Sequence, residues 1–349
     1  MKDKSIFIKN IYYMLSYAFK TLKQNGYKNI ESEKFENIHN LFAAILDKGI
    51  GEQLKQGLYK EYINHKENMS VVRGKIEIIG SIKNLTARKQ LLTCEYDELS
   101  ENNLLNQIIK STVILLIKHK EVETKYKNNL KKKMLFFNNV NSVNLTSIYW
   151  SSIRFYKNNN TYHMLINLCK LIINGMLLTE KSGKYKLASF IDEQEMSRLY
   201  EQFILAYYCK KHPNLNAKAS HIQWACDDNF FDMLPTMKSD VMLHKNNKIL
   251  IIDAKYYNQA TQIHFNTPKL HSTNLYQIFT YVKNKQAECV NNQVSGLLLY
   301  AQTDEPVQPN QDYQLSGNQI SVKTLDLNQD FTNIAKQLDD IVNDFFQAA

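Results

Sequence analysis

The sequence predicts a two-domain protein of the mixed α/β (α+β) class, in which segments with helical periodicity alternate with short apolar strands. Its 349 residues are enough to build two hydrophobic cores. All five prolines lie after residue 200, and the polar stretch 156–160 interrupts the pattern between the two halves. We therefore predict a mixed α/β N-terminal domain over residues 1–160. A second domain over residues 161–349 is expected to contain a mixed central sheet flanked by helices.

The elements of the first domain follow from hydrophobic spacing. Apolar residues recur at helical spacing in its helices, whereas its strands are short apolar runs. Ser100 is the predicted N-cap of a long helix, because its hydroxyl can accept a hydrogen bond from an amide of the first turn. In order, we predict helices over 8–19 and 39–54, strands over 71–78 and 91–96, a helix over 100–117, and a solvated basic helix face over 125–133.

The second domain alternates more regularly between helices and strands, as expected for helices packed on a sheet. Its most apolar part is a pair of strands separated by a turn, which places them in the centre of the sheet. In order, we predict a helix over 161–178, a strand over 184–190, a helix over 196–207, a strand over 220–226, a hairpin over 240–255, a helix over 274–282, strands over 294–300 and 319–327, and a helix over 330–346.

The hairpin is the most informative segment. Its turn contains Asn246 and Asn247, a residue type that tolerates the positive φ of tight turns. A turn centred between them places Asp240 opposite Asp253. Opposed residues in antiparallel strands share a face, with Cβ atoms about 4.5–5.5 Å apart, and Lys255, two residues further on, shares that face too. The intervening pairs are His244 with Ile249 and Met242 with Ile251.

Two facing acids and a lysine predict a metal-dependent phosphodiesterase site. Asp240 and Asp253 would repel each other unless a cation lies between them. Mg²⁺ suits such oxygen ligands, with Mn²⁺ as a substitute. Lys255 could orient or deprotonate water, or stabilise developing negative charge. The alternative is a solvated acid pair in an edge hairpin, but both faces of this hairpin are apolar, which favours central strands.

Composition limits the environment and the partners. Residues 1–165 contain 26 Lys and Arg against 15 Asp and Glu, whereas residues 166–349 contain 17 against 19. A basic first half suits nucleic acid or an acidic partner, although a lysine-rich composition explains part of it. Only four of the positive residues are Arg, so base-specific readout is disfavoured. Five scattered cysteines and the lack of a long apolar run predict a soluble cytoplasmic protein without a membrane segment.

A helix with an acid, a hairpin with the pattern D…DxK and a following helix together resemble the PD-(D/E)xK nuclease superfamily. The resemblance implies Glu201 as the acid of the first helix, beside Asp240 and Asp253 with Lys255. Gln277 and Tyr281 resemble the Gln-x-x-x-Tyr motif of its helicase-coupled branch, and their spacing puts them on one helix face. A solvated helix acid is the alternative for Glu201, and a core aromatic is the alternative for Tyr281.

Over its whole length the chain resembles the McrC family, the nuclease subunits of McrBC modification-dependent restriction systems. Matching segments occur in the same order in both halves. The second motif reads Ser-Asp where the superfamily pattern has Pro-Asp. The segments that carry the resemblance are 10–18, 74–76, 104–118, 196–203, 234–240, 251–257 and 274–277.

This resemblance implies a Mg²⁺-dependent DNA endonuclease subunit that binds no nucleotide itself. Its partner would be an McrB-like AAA+ GTPase ring that recognises DNA with methylated cytosine, and the chain would stimulate that GTPase. The absence of GxxxxGK[ST] from the sequence agrees with this division. The N-terminal domain would dock the partner, with Arg73 and Lys75 as candidate contacts, although both suit solvent-facing strand ends too. Asp240 and Asp253 would hold the metal, with the Ala254 carbonyl as a further ligand.

Two other functions compete with this interpretation. One is a non-catalytic adaptor that activates an AAA+ ring and keeps only a vestigial nuclease fold. The presence of Asp240, Asp253 and Lys255 together argues against it. The other is a stand-alone repair nuclease, which the large N-terminal domain without a DNA-reading motif disfavours.

Overall fold

The computed structural model describes residues 4–19, 30, 33, 35–155, 160–182, 193–228, 230–257, 261–264, 267–302 and 308–347. The chain folds into two compact units. The middle unit consists of residues 42–173, and the sheet unit consists of residues 1–41 and 174–349. Both contain helices and strands, so the predicted mixed α/β class is confirmed.

The middle unit combines a small antiparallel sheet with helices. In its sheet, strand β3 (Leu92–Ser100) lies between β1 (Glu61–Met69) and β2 (Lys75–Ile76). Tyr162, which is buried, donates a hydrogen bond from its hydroxyl to Asn106 Oδ1 at 2.6 Å, and Asn106 donates to the Tyr59 carbonyl at 2.9 Å. The elements that lie in this unit or enter it are α2 (Ile38–Gln56), β1 (Glu61–Met69), β2 (Lys75–Ile76), α3 (Ile78–Thr86), β3 (Leu92–Ser100), α4 (Leu104–Lys118), α5 (Thr124–Met134) and α6 (Asn160–Ser182).

The sheet unit is built on a five-stranded mixed sheet. Its strands follow the order β11 (Gln311–Leu315), β12 (Asn318–Leu325), β10 (Gln293–Ala301), β7 (Lys248–Lys255) and β6 (Val241–Lys245). β10 is parallel to β7 and β12, and the edge strands β6 and β11 are antiparallel to their neighbours. The prediction that both strands of the hairpin are central is therefore wrong for β6. This edge strand is nevertheless buried over residues 241–243, because a helix packs on it and Lys218 pairs with Met242. Its elements are α1 (Lys4–Ala18), α7 (Glu193–Lys211), β4 (His221–Ile222), β5 (Met237–Lys238), β6 (Val241–Lys245), β7 (Lys248–Lys255), β8 (Thr261–His264), β9 (Thr267–Leu270), α8 (Ser272–Glu288), β10 (Gln293–Ala301), β11 (Gln311–Leu315), β12 (Asn318–Leu325) and α9 (Phe331–Gln347).

Two helices fix the surroundings of β7. α7 packs against β6 and β7, whereas α8 packs against β7, β10 and β12. Residues 249–254 of β7 are all buried, so both faces of this strand are covered. α8 can approach β10 because Gly296 has no side chain. A Cβ added there would lie 2.7 Å from Cγ1 of Ile278 and 2.9 Å from Cγ2 of Val282.

The observed units differ from the predicted boundary at residue 160. α1 belongs to the sheet unit, where it packs against α7. Asn10 donates from Nδ2 to the carbonyl oxygens of Leu327 and Gln329 at 2.6 and 2.8 Å, across 317 and 319 positions of sequence. At its other end the middle unit extends to residue 173, within α6. Sequence spacing gave no sign of these long-range contacts.

Several local predictions for the middle unit were wrong. The strand predicted over 71–78 is only β2, because Gly74 has a φ of 69° and Glu77 caps α3 by accepting a hydrogen bond from Gly80 N at 2.7 Å. The long helix begins at Leu104 rather than at residue 100. Its N-cap is Asn103, which accepts from Asn106 N.

In the sheet unit, the strand predicted over 220–226 is reduced to His221–Ile222. The strand predicted over 184–190 lies outside the described residues. Most of the other predicted helices and strands of this unit are confirmed, with boundaries displaced by a few residues.

Candidate active site

The hairpin of β6 and β7 has the predicted register. His244 lies opposite Ile249 and Met242 opposite Ile251. The turn between the strands contains Asn246, whose φ is 55°, a conformation that asparagine adopts more readily than most residues. The pairing runs from this turn to Val241 and Ile252, so the two acids lie at the end of the hairpin away from the turn. Side chains alternate between the faces of a strand, so both acids point away from the face of Val241 and Ile252.

Asp240 and Asp253 meet at that end. The strand pairing stops at Val241, so Asp240 lies just outside the ladder, and its Oδ2 accepts a hydrogen bond from Ala254 N at 2.9 Å. Asp253 lies within β7 and is only 2% exposed. The predicted ladder pair between the two acids is therefore absent, but the charge of Asp253 acts on Asp240, and Asp240 contacts the backbone next to Asp253.

Lys255 joins the acids to helix α8. Its Nζ lies 2.8 Å from Asp253 Oδ2 and donates to Gln277 Oε1 at 3.2 Å. Gln277 in turn donates from Nε2 to the Tyr281 hydroxyl at 3.0 Å. Tyr281 also packs in the hydrophobic core, as the core-aromatic alternative predicted, and its place in a functional motif stays a prediction. The structure thus arranges Asp253, Lys255, Gln277 and Tyr281 as one connected chain of polar contacts.

Glu201 on α7 belongs to the same electrostatic cluster. Its Oε1 accepts a hydrogen bond from Ser197 Oγ at 3.3 Å. Burial raises the pKa of Glu201, and the charges of Lys255 and Asp253 act on it too. Its own charge contributes to the raised pKa of Asp240. A fully solvated helix acid would not show this environment.

The two aspartates have strongly perturbed pKa values. Burial, followed by the charge of Asp253, raises the pKa of Asp240 to about 7. Burial also raises the pKa of Asp253, although the Lys255 ammonium opposes this increase. For Lys255, burial is the largest cause and lowers the pKa, but the charge of Asp253, its hydrogen bond to the ammonium and the other nearby negative groups together outweigh burial, so the net pKa is raised. The lysine is therefore a cation at neutral pH, whereas burial favours the protonated form of both aspartates.

The sequence interpretation missed three residues beside this chain of contacts. Asn274 donates from Nδ2 to the Tyr300 hydroxyl at 2.9 Å, and the Tyr257 hydroxyl lies 3.4 Å from Asn274 Oδ1. The available signal was helical spacing, because Asn274 lies three residues before Gln277 and therefore on the same helix face.

The role of the Ala254 carbonyl as a metal ligand stays a prediction.

The fold and the site together define a mixed α/β protein with a carboxylate–lysine cluster at the end of β7, in which Asp253 is buried and Asp240 and Lys255 are half-buried. The family model described as "McrBC 5-methylcytosine restriction system component" matches residues 4–301. A curated relative from Escherichia coli (strain K12), "Type IV methyl-directed restriction enzyme EcoKMcrBC", is 30% identical over 351 residues, which cover 99% of this chain and 100% of the relative. The chain belongs to the family of McrBC 5-methylcytosine restriction system components.

Two solved structures are also similar. One is a refined half-complex from the tetradecameric assembly of Thermococcus gammatolerans McrB AAA+ hexamers with bound McrC. It is 18% identical, with a TM-score of 0.49, and the match covers 94% of this chain and 75% of that chain. The other is a cryo-EM structure of the Thermococcus gammatolerans McrBC complex, with 20% identity, a TM-score of 0.44 and 60% of each chain covered. Among the described residues, no helix is both long and apolar enough to cross a membrane.

Proposed function

We propose that the chain is a Mg²⁺-dependent DNA endonuclease subunit of the PD-(D/E)xK type, acting in the cytoplasm within a GTP-driven, methylcytosine-dependent restriction complex. The observation that carries this proposal is the cluster of Asp240, Asp253 and Lys255 at the end of β7, in which Asp253 is buried and the other two are half-buried. Buried carboxylates with raised pKa values in contact with a lysine are typical of functional sites rather than of structural ion pairs. Membership of a restriction-system family supplies the substrate class.

The donor set fits a hard divalent cation. Asp240, Asp253 and Glu201 offer carboxylate oxygens, and their mutual repulsion is one cause of the raised pKa of Asp240. These are the ligands that Mg²⁺ prefers, and Mn²⁺ accepts the same set. Asp240 and Asp253 would hold the ion, with the Ala254 carbonyl as a further ligand. When bound, the ion would polarise the scissile phosphate and favour ionisation of a water molecule.

The residues of the chain have distinct roles in this proposal. Lys255 keeps its charge because Asp253 lies 2.8 Å away, so it stabilises the negative charge that develops on the phosphate rather than acting as a resting base. Gln277 accepts a hydrogen bond from the Lys255 ammonium and thereby limits the positions that the ammonium can occupy. Tyr281 orients Gln277 through its hydroxyl. Glu201 adds negative charge that favours a cation at the cluster.

A partner would supply nucleotide hydrolysis and recognition of the modified base. The T. gammatolerans structures contain McrB AAA+ hexamers, and we propose an McrB-like GTPase ring as the partner here, stimulated by this chain. Helix α3 of the middle unit is the best candidate for the docking surface. Ile78, Ile79, Ile82 and Leu85 are 56–76% exposed there, and contiguous exposed apolar surface is typical of protein interfaces.

The two polar contacts predicted from sequence have different environments. Arg73 lies 4.0 Å above the ring of Tyr96 and 3.6 Å from a Glu98 oxygen, so its guanidinium already has partners within the middle unit. Lys75 is exposed on β2, opposite Glu95. We therefore place Lys75, rather than Arg73, beside α3 in the proposed docking surface.

Substitution of Asp253 tests the proposal. Asp253→Ala should abolish Mg²⁺-dependent cutting of methylated DNA, while complex formation and partner GTP hydrolysis persist. The matched control is Asp312→Ala, which removes an exposed acid from β11 and should leave cutting unchanged. Residual cutting by Asp253→Ala would refute the site. If the unsubstituted chain fails to cut with either Mg²⁺ or Mn²⁺ but still stimulates the GTPase, the adaptor function replaces the nuclease.

A further inference from the structure

We propose that Asn274 is a positioning residue of this site, which holds the backbone on both sides of Lys255 through the phenols of Tyr257 and Tyr300. The proposal deepens the proposed nuclease function and rests on it, because it treats the placement of Lys255 as necessary for cutting. Asn274 acts at a distance from the phosphate, through residues that neighbour the lysine.

The contacts of Asn274 connect three elements. Its Nδ2 donates to the Tyr300 hydroxyl at 2.9 Å, and its Oδ1 accepts from the Tyr257 hydroxyl at 3.4 Å. Tyr300 is the residue of β10 that pairs with Lys255 in the parallel ladder. Tyr257 follows Lys255 by two residues, just beyond the end of β7. One amide on α8 therefore contacts both the ladder partner and the chain neighbour of Lys255.

The spacing on α8 gives Asn274 and Gln277 different contacts around Lys255. Asn274, Gln277 and Tyr281 lie on one face, at spacings of three and four residues. Gln277 contacts the Lys255 ammonium directly. Asn274, one turn earlier, contacts Tyr300, the residue that pairs with Lys255 in the ladder. Helix α8 therefore contacts the ammonium end of Lys255 directly and its backbone end through Tyr300.

The burial of Asn274 indicates that its side-chain amide orients the hydroxyls of Tyr257 and Tyr300. Asn274 is 5% exposed and Tyr300 is fully buried. A buried amide is unfavourable unless its polar atoms are bonded, and an apolar side chain of similar size would fill the space without that cost. What the amide adds is direction, because a donor and an acceptor on one rigid group fix two hydroxyls at defined positions. The same packing contact without hydrogen bonds would leave the end of β7 free to shift.

The consequence concerns the rate of cutting rather than DNA binding. Lys255 must reach the developing charge from a defined position, since catalysis of this kind depends on groups already placed for the transition state. A displaced ammonium still attracts DNA by its charge, so affinity changes little. Loss of Asn274 should therefore lower the cutting rate at saturating DNA and Mg²⁺.

The test compares single-turnover cutting of methylated DNA by the complete complex with its AAA+ partner. Asn274→Ala and Tyr300→Phe should each lower the rate at least tenfold, with the DNA Kd within twofold of the unsubstituted value. The double variant should be no slower than the slower single variant, since both remove one interaction. Tyr208→Phe is the control, because it removes another buried hydroxyl, which donates to the Leu338 carbonyl at 3.1 Å; its rate should stay within twofold.

Three results of this comparison would overturn the proposal. Single variants that cut at the unsubstituted rate would remove the role of the amide, and effects that multiply in the double variant would show independent causes. An equal loss in Tyr208→Phe would reveal a general effect of lost buried hydroxyls. Tyr300→Phe retains the aromatic ring, so it keeps the test valid if Asn274→Ala fails to fold.

A second readout is independent of cutting. In protein labelled with ¹³C at lysine Cε, the Lys255 signal is assigned by its disappearance in Lys255→Arg. We expect Asn274→Ala and Tyr300→Phe to shift this signal and Tyr208→Phe to leave it in place. An unshifted signal refutes the positioning role even if the chain proves inactive, whereas a shifted signal in a chain that never cuts refutes the nuclease function and leaves the structural coupling intact.

Discussion

Substitution of Asp240 by asparagine separates a metal site from a structural ion cluster, because the two interpretations predict opposite changes in stability. Asparagine keeps an oxygen that can accept the 2.9 Å hydrogen bond from Ala254 N, but it removes one of two neighbouring buried charges. If the cluster exists to hold a cation, the metal-free protein is destabilised by its own acids. Asp240→Asn should then stabilise the metal-free protein and abolish cutting.

The magnitude follows from the raised pKa of Asp240. Folding raises this pKa from 3.8 to about 7, and one pKa unit corresponds to ~1.4 kcal/mol. Between these two values the folded protein holds a proton that the unfolded chain releases, so the free energy of unfolding falls as pH rises through this window. The cost of the charged Asp240 is therefore at most about 4 kcal/mol at pH 8, and under about 2 kcal/mol at pH 5.

Urea unfolding in EDTA at pH 5 and pH 8 measures this difference. Asp240→Asn should be more stable than the unsubstituted chain at pH 8, and the gain should shrink by more than half at pH 5. Mg²⁺ should stabilise the unsubstituted chain but not the variant. The control is Asp326→Asn, which removes an acid of the same unit that accepts from Asn328 N at 2.8 Å, and which should give no such pH-dependent gain. Equal destabilisation of Asp240→Asn at both pH values would refute the reasoning.

Three further substitutions test other parts of the structure. Tyr281→Phe keeps the buried ring but loses the hydroxyl, so cutting should slow while urea unfolding shows a loss of only about 0.5–1.5 kcal/mol. Gly296→Ala would place a Cβ 2.7 Å from Cγ1 of Ile278; we expect a loss of about 1–3 kcal/mol in urea unfolding and slower cutting, because α8 must move. Leu85→Glu on α3 should change the free energy of unfolding by less than about 0.5 kcal/mol and weaken partner binding at least tenfold in a pull-down titration. The control Val290→Glu, which also replaces an exposed apolar residue but lies on the sheet unit, should leave partner binding unchanged.

Local patterns predicted the hairpin well because its register depends on adjacent residues. The Asn-Asn turn and the alternation of strand side chains are properties of a continuous segment, so counting outward from the turn gave the observed pairs His244–Ile249 and Met242–Ile251. The same reasoning failed for residues 71–78. The end of that segment belongs to α3, because Glu77 accepts a hydrogen bond from Gly80 N and the helix begins at Ile78. The apolar residues of α3 form an exposed stripe on this helix rather than a strand.

The sequence by itself determined the mixed α/β class, the facing acids with their lysine, and the resemblance that points to the family. Each depends on residue type and short spacing. Only the tertiary structure decided that α1 belongs with the sheet unit, that Glu201 joins the acids, and that Asn274 reaches Tyr300. These contacts join segments far apart in the chain, and their formation depends on how helices pack on the sheet, which no local pattern encodes.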